Sequence, residues 1–418
     1  SLIGLGVLLV FEGAVVLPGW LGSDLARLLA LCAAALGLWC HAAACGNPGA
    51  RWSALFRQPS ALLVLLFLGW GGVSAVCSTL PELSAYELLR YASGGLVFFA
   101  MLVWARRVSA LAYARAGALA LAAMAVTALL RYAGSGSRVT SGAFGDEQLL
   151  AAALGVLIPL ALYVARQDTM PLGQVIGGMA VLGGGIVLLL TGNRTVWLAL
   201  AVGLALQETL PALFSRDARK SRSHPGRSLA LAAAGLAALA LLTGRAPAVL
   251  ERAATLSSAG SEATFRWRRE AWQTARHLLD QRPVFGWGIG TYAVRHAGLT
   301  PGGRSPREVL LVGASLSESA HNSYLQVGAE LGYPGLALFM LLPVTLGWGL
   351  VRRTPHARRG DMPVVAAALG ALVVQAVSAC ANPAWEYAQC AAFQWFVFGV
   401  AAVAAQSAAG EVVGEVGR

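Results

Sequence analysis

Lysine is all but missing. Lys220 is the only one in 418 residues, so the net charge of +11 rests on arginine. A guanidinium stays charged and offers phosphate a planar, bidentate fork, which an ammonium does not. Charge of any sign is scarce, at 12% of residues against 57% hydrophobic, and the mean hydropathy is +0.64. No single soluble core absorbs that composition. The basic balance does not point to nucleic acid, because most arginines fall in short loops between apolar segments.

Cysteine is sparse and unpatterned. Six are present without a CxxC spacing, and Cys32, Cys40, Cys45 and Cys77 lie in or at the ends of apolar segments, where the thiol acts as a small hydrophobe. Span packing accounts for Cys380 and Cys390 better than a disulfide does. No Walker A, dinucleotide-binding glycine set, HExxH, GxSxG or DxD-type metal motif stands in a suitable context. Nucleotide and metal chemistry therefore have no support, and no cofactor is expected. Internal repeats are also missing, which removes the inverted-repeat transporter architecture. The chain starts at Ser1 without a basic leader or cleavage site and reads as a trimmed first span rather than a signal peptide.

What is present is a series of apolar runs. A span needs about 20 apolar residues, and about twelve such segments can be traced: 2–17, 25–45, 60–79, 88–105, 109–130, 148–165, 173–191, 195–213, 229–243, 322–350, 362–381 and 390–408. This predicts an all-α polytopic membrane protein. Alternate loops carry the arginines, at Arg51 and Arg57, Arg106 and Arg107, Arg166, the Arg216–Arg227 run, and Arg352 to Arg359. By the positive-inside rule these loops and both termini are cytoplasmic. The opposite loops are nearly free of basic residues, apart from Arg131, Arg138 and Arg194. The expected division is residues 1–243 with spans one to nine, 244–320 as one large outer loop with amphipathic helices, and 321–418 with spans ten to twelve and a tail.

Inside the outer loop, Phe265 to Asp280 has helical periodicity, ends at Arg282-Pro283, and has Thr264 or Ser261 as its candidate cap. Its apolar arc holds Phe265, Trp267, Ala271, Trp272, Ala275, Leu278 and Leu279. Arg266 and Arg269 fall on the polar side. Arg268 breaks the pattern from within the apolar arc, so it either snorkels out or meets an anion beneath the helix. The following Pro283-Val-Phe-Gly-Trp-Gly-Ile-Gly290 is read as a tight turn rather than a phosphate cradle.

His321 opens the tenth span at the water interface. Imidazole titrates near neutrality, so it is a candidate general base; an interfacial histidine bonded to a loop carbonyl fits the pattern equally well. Asn322 is expected to start or orient the helix. Arg194, in Thr191-Gly-Asn-Arg-Thr195, is either a snorkelling turn residue or a phosphate clamp at the membrane surface. Glu330 reads as a hydrogen-bonding group within the span, and Glu386, in Asn382-Pro-Ala-Trp-Glu-Tyr387, as an exposed loop carboxylate.

Three segments resemble the O-antigen ligase and polymerase superfamily of bacterial envelope glycosyltransferases: Thr191-Gly-Asn-Arg-Thr-Val-Trp197, Arg268-Arg-Glu-Ala-Trp272 with Pro283-Val-Phe-Gly-Trp-Gly288, and His321-Asn-Ser-Tyr-Leu-Gln-Val-Gly-Ala-Glu-Leu-Gly-Tyr-Pro-Gly335. Arg138 to Gln148 also looks like a family segment, with Asp146-Glu147 in place of an asparagine-rich form. The resemblance implies a twelve-span inner-membrane enzyme, with one large periplasmic loop between the ninth and tenth spans. It would transfer O-antigen from undecaprenyl diphosphate to a sugar hydroxyl of lipid A-core, without metal or cofactor and with inversion. It further implies that Arg194 and Arg268, with Arg266 and Arg269 as substitutes, clamp the donor diphosphate, that His321 deprotonates the acceptor, and that Asn322 orients. An O-antigen polymerase or protein O-oligosaccharyltransferase would use the same chemistry. The reading from another class is an anion transporter, whose path Arg90 and Arg115 would have to line.

Overall fold

The computed structural model describes residues 58–105, 108–135, 146–214, 263–299, 319–354 and 360–408. All regular structure among them is helical. In chain order the helices are α1 (Pro59–Val76), α2 (Pro81–Trp104), α3 (Ala110–Ser135), α4 (Glu147–Gln167), α5 (Pro171–Thr191), α6 (Arg194–Phe214), α7 (Ala263–Gln281), α8 (Tyr292–Leu299), α9 (Ser323–Arg353), α10 (Met362–Ser378) and α11 (Ala388–Ala408). Among the described residues seven are long and apolar enough to cross a membrane: α1 to α5, α9 and α11. Nine of the expected spans coincide with helices. The segments 2–17, 25–45 and 229–243 lie outside the described residues, as do Cys32, Cys40, Cys45, Arg138, Ser261 and most of the arginine-rich loops.

Helix starts follow local chemistry. Proline stands in the first turn of α1, α2, α5 and α10, where its missing N–H leaves no bond unmade. The Asp146 carboxylate caps α4 by accepting from the amides of Gln148 and Leu149, and the Asn322 side chain caps α9 by accepting from the amide of Leu325 at 3.1 Å. Gly192, at φ +66°, ends α5 in the left-handed conformation. Only Asn193 then separates it from α6.

Two helices fill the middle of the bundle. In α4 and α11, 83% and 89% of the apolar window is buried, which suits helices apolar on every side. The α4 helix packs against α3, α5, α6, α10 and α11. Small residues bring these backbones close: a Cβ on Gly203 of α6 would fall 2.6 Å from the Gly370 oxygen of α10. At the periphery, α5 and α9 bury only 33% and 28% of their windows. Their outward faces, with Leu172, Met179, Leu182, Val344 and Trp348 exposed, have the character of lipid-facing surface.

The expectation of one continuous span from 322 to 350 needs correction. The α9 backbone is broken at Gly332, at φ 69° and ψ −176°, a conformation open to glycine, and Pro334 just beyond it has no N–H to return to the Glu330 carbonyl. The freed carbonyls are taken up by the segment between α7 and α8. Ala329 O accepts from the Trp287 amide at 3.1 Å, Glu330 O from the Gly288 amide at 2.9 Å, and the Tyr333 amide donates to Pro283 O at 2.8 Å. From α1, Trp70 Nε1 donates to Leu331 O at 2.8 Å and Ser74 Oγ to Glu330 O at 3.1 Å. The tight-turn reading of Pro283–Gly290 therefore holds, and its role is to dock on a helix break.

That docking leaves no room for side chains. A Cβ on Gly286, at φ +68°, would lie 2.2 Å from Glu330 O. Gly286→Ala is expected to lower stability by about 1–3 kcal/mol, read as a fall of several degrees in the thermal midpoint of detergent-purified protein. Gly178→Ala, on an exposed face with nothing within 4 Å, should leave the midpoint unchanged or slightly raised.

Candidate functional site

The ends of several helices meet at one end of the bundle. Asn193, between α5 and α6, donates through Nδ2 to Asn382 Oδ1 at 2.8 Å and accepts at Oδ1 from the Val196 amide at 3.2 Å. Asn382 in turn donates to Ser378 O at 3.1 Å. The first residue of α9 joins the same knot, as the Ser323 amide donates to Ala379 O at 2.9 Å. Arg194 opens α6 and His321 precedes α9, so this asparagine relay fixes where both begin.

The amphipathic helix is where the sequence places it, extended to Ala263–Gln281. Thr264 therefore lies inside the helix rather than capping it. On its inner face Ala271, Ala275, Leu278 and Leu279 are buried, and Arg266, Arg269, Glu270, Arg276 and His277 are exposed. A small outer core of Ala275, Leu278, Tyr292, Ala320 and Ala329 glues α7 and α8 to the start of α9. Two bonds fix the register: Tyr292 OH donates to Ala271 O at 2.9 Å and Trp287 Nε1 to Leu278 O at 3.0 Å.

Arg268 points inward. Its Nη2 donates to Gln148 Oε1 at 3.3 Å, and its buried Nε has no hydrogen-bond partner. No carboxylate among the described residues forms an ion pair with it. Burial, followed by the nearby charge of Arg194, holds its pKa below the usual guanidinium value. Two cations on separate elements are thus held close enough to repel, the electrostatics of a site that favours an anion. Arg266 and Arg269 sit on the opposite, exposed face and are not brought to this place.

His321 is 3% exposed, and its Nδ1 lies 2.9 Å from Gln148 Oε1. Its ring and that of Trp267 pack in a T-shaped pair, with centroids 4.8 Å apart and planes at 82°. Its backbone φ of 47° makes it the one non-glycine residue with positive φ among those described. Such a conformation costs on the order of 1–3 kcal/mol and persists where surroundings impose it. Asn322, by contrast, is a helix cap that does not bond the ring through any described contact.

Gln148 was missed by the sequence reading, which quoted it within a family-like stretch without assigning it. Trp267 was read only as part of an apolar arc. Nothing in periodicity marks either one, because their contacts are non-local: Gln148 on α4 meets Arg268 and His321 at separations of 120 and 173 residues, and Trp267 on α7 meets His321 ahead of α9.

Beside the site lies a second polar cluster around a cavity of ≈ 70 Å³ lined by Glu87, Arg90, Ser319, Gln326, Glu330 and Glu386. Glu330 is the hydrogen-bond acceptor expected: Gly290 N donates at 2.8 Å, Tyr292 N at 3.2 Å and Gln326 Nε2 at 3.2 Å. Glu386 is not the exposed carboxylate expected. It accepts from Ser323 Oγ at 3.0 Å and from the Trp385 amide at 2.9 Å. The asparagine relay folds its loop back under α9, with Trp385 at 2% exposure. Arg90 pairs with Glu87 at 2.6 Å and Arg115 with Asp168 at 2.5 Å. Each arginine that an anion path would need is thus bonded to a carboxylate.

Residues 178–340 match the family described as O-antigen ligase (Wzy_C). The match covers less than half of the chain; it contains Arg194, Arg268 and His321 and excludes Gln148. No curated protein matches the sequence significantly.

Burial pushes the Glu386 carboxyl from 4.5 up to about 7, against the opposing pull of Ser323, backbone amides and Arg90. The folded state then holds a proton that the unfolded chain releases near 4.5, so stability from this group is complete below that pH and is lost as pH rises through about 7. The thermal midpoint should fall between about pH 5 and about pH 7.5, and Glu386→Gln should flatten that slope.

Proposed function

We propose, from the premise that residues 178–340 carry the mark of the O-antigen ligase superfamily, that this multi-pass membrane protein is a metal-independent ligase. In this reading it moves O-antigen from undecaprenyl diphosphate to a sugar hydroxyl of lipid A-core. The observation that carries the proposal is the meeting of Arg268, Arg194 and His321 at one bundle end, two cations beside an imidazole. The opposite end carries Arg166, Arg352 and Arg353 at helix C-termini. The positive-inside rule favours a cytoplasmic position for that end, which supports reading the site as periplasmic, on an enzyme of the inner membrane. In the same reading residues 1–243, 244–320 and 321–418 would be the first spans, the outer loop and the last spans.

The chemistry suits a compartment without ATP, because the donor brings its own leaving group. Arg194 and Arg268 would hold the diphosphate and neutralise charge that builds on the bridging oxygen as the C1–O bond breaks. His321 takes the proton from the acceptor hydroxyl as its oxygen bonds to C1 from the opposite side, and the diphosphate leaves with the bonding electron pair. The product is inverted at C1, and the imidazolium later returns its proton to water. A base of this kind is worth about 10² to 10⁴ in rate.

The test is a lipopolysaccharide gel from a ligase-deficient host expressing this chain or its His321→Ala variant at matched levels. The long-chain ladder should return with the first and stay absent with the second. If the parent chain instead lengthens lipid-linked glycan without loading lipid A-core, polymerisation replaces ligation. Arg268→Lys should lose most activity because an ammonium cannot fork onto phosphate, whereas Arg269→Lys, on the exposed face, should keep it. Equal activity of the two would remove Arg268 from the diphosphate site.

A further inference from the structure

We infer that Gln148 is a positioning residue that sets the tautomer of His321, with Arg268 setting the orientation of Gln148. The inference deepens the proposed function, since it takes His321 as the base of the transfer reaction.

Gln148 stands in the first turn of α4, fixed there by the Asp146 cap, whose Oδ1 accepts from the Gln148 amide at 2.6 Å. Its side-chain oxygen faces two groups at once, Arg268 Nη2 at 3.3 Å and His321 Nδ1 at 2.9 Å. An amide has one accepting end and one donating end, and turning it over exchanges them. Turned over, the Gln148 NH₂ would face the Arg268 guanidinium, donor against donor, with a cation on one side. The guanidinium therefore holds the oxygen inward. A carbonyl oxygen has two lone pairs, so it accepts from Arg268 and from His321 together.

An oxygen can only accept, so the His321 nitrogen facing it must carry the hydrogen. In the neutral ring that puts the proton on Nδ1 and the lone pair on Nε2, the nitrogen that then serves as base. When Nε2 takes the acceptor proton, the Nδ1–H bond to Gln148 stays in place. The positive φ of His321 and the Trp267 edge contact hold the ring so that Nδ1 meets this oxygen. One guanidinium thus acts in two ways: it contributes charge for the donor and, through one amide, selects which ring nitrogen is basic. A neutral amide in this role leaves the imidazole uncharged at rest, whereas a carboxylate would favour the imidazolium.

The experiment has a readout that does not need turnover. The full chain is labelled with ¹⁵N-histidine and reconstituted, and the His321 signals are assigned among the six histidines by their loss in His321→Ala. In the parent chain above the ring pKa, Nδ1 should resonate as an N–H nitrogen and Nε2 as a lone-pair nitrogen. In Gln148→Ala the Nε2–H form should become the major tautomer, and kcat should fall by about tenfold or more, part of the worth of a general base. Gln148→Glu keeps an acceptor against both partners, so it should retain the Nδ1–H tautomer and move the acidic limb of the pH–rate profile upward. A parent chain that shows the Nε2–H tautomer overturns the inference, as does a Gln148→Ala chain that keeps the Nδ1–H form. The Nδ1–H tautomer with no glycan transfer by the parent chain would sink the proposed function and leave the positioning role standing.

Discussion

Everything at the outer end of the bundle depends on a break in one helix. Gly332 interrupts α9, and backbone groups that a continuous helix would satisfy internally are turned toward their neighbours. In a low-dielectric setting an unmet carbonyl is costly, so the segment between α7 and α8 is drawn against the break and α1 closes it from the other side. The amphipathic helix comes with that segment. Arg268 is carried to its place by a peptide ladder, not by an attraction of its own, and it reaches the site despite the repulsion from Arg194.

The second constraint is the asparagine relay between Asn193 and Asn382. It joins the α5–α6 turn to the loop before α11, so that Arg194, Ser323 and Glu386 share one neighbourhood though they are far apart in sequence. Helix ends then present the charged groups, and the half-buried Gln148 amide bonds both Arg268 and His321. Preorganisation of this kind lets fixed charges act on a reacting group without rearranging first.

Much of the architecture could be read from the sequence for a simple reason: a membrane span advertises itself by length and apolarity, and α1 to α6 and α9 to α11 lie where such runs were found. Arg268 was also legible, because a charge inside an apolar arc is an inconsistency that periodicity exposes. Gln148 and Trp267 were not. A glutamine at the first turn of an alanine-rich helix violates no pattern, and its meaning comes from partners on α7 and before α9. Glu386 was misread for the complementary reason. A carboxylate in a proline-containing loop looks solvated, and only the hydrogen bonds of Asn382 reveal that the loop is folded inward. The break at Gly332 had a signal in the Gly332-Tyr-Pro-Gly335 run, but hydropathy averages straight over it.

His321 occupies a backbone conformation that glycine would adopt without strain. Glycine there would relieve the backbone but would lose the hydrogen bond to Gln148 and the packing on Trp267. Backbone strain and side-chain burial are thus opposed at this one position, so its net effect on stability is a difference of two terms of similar size.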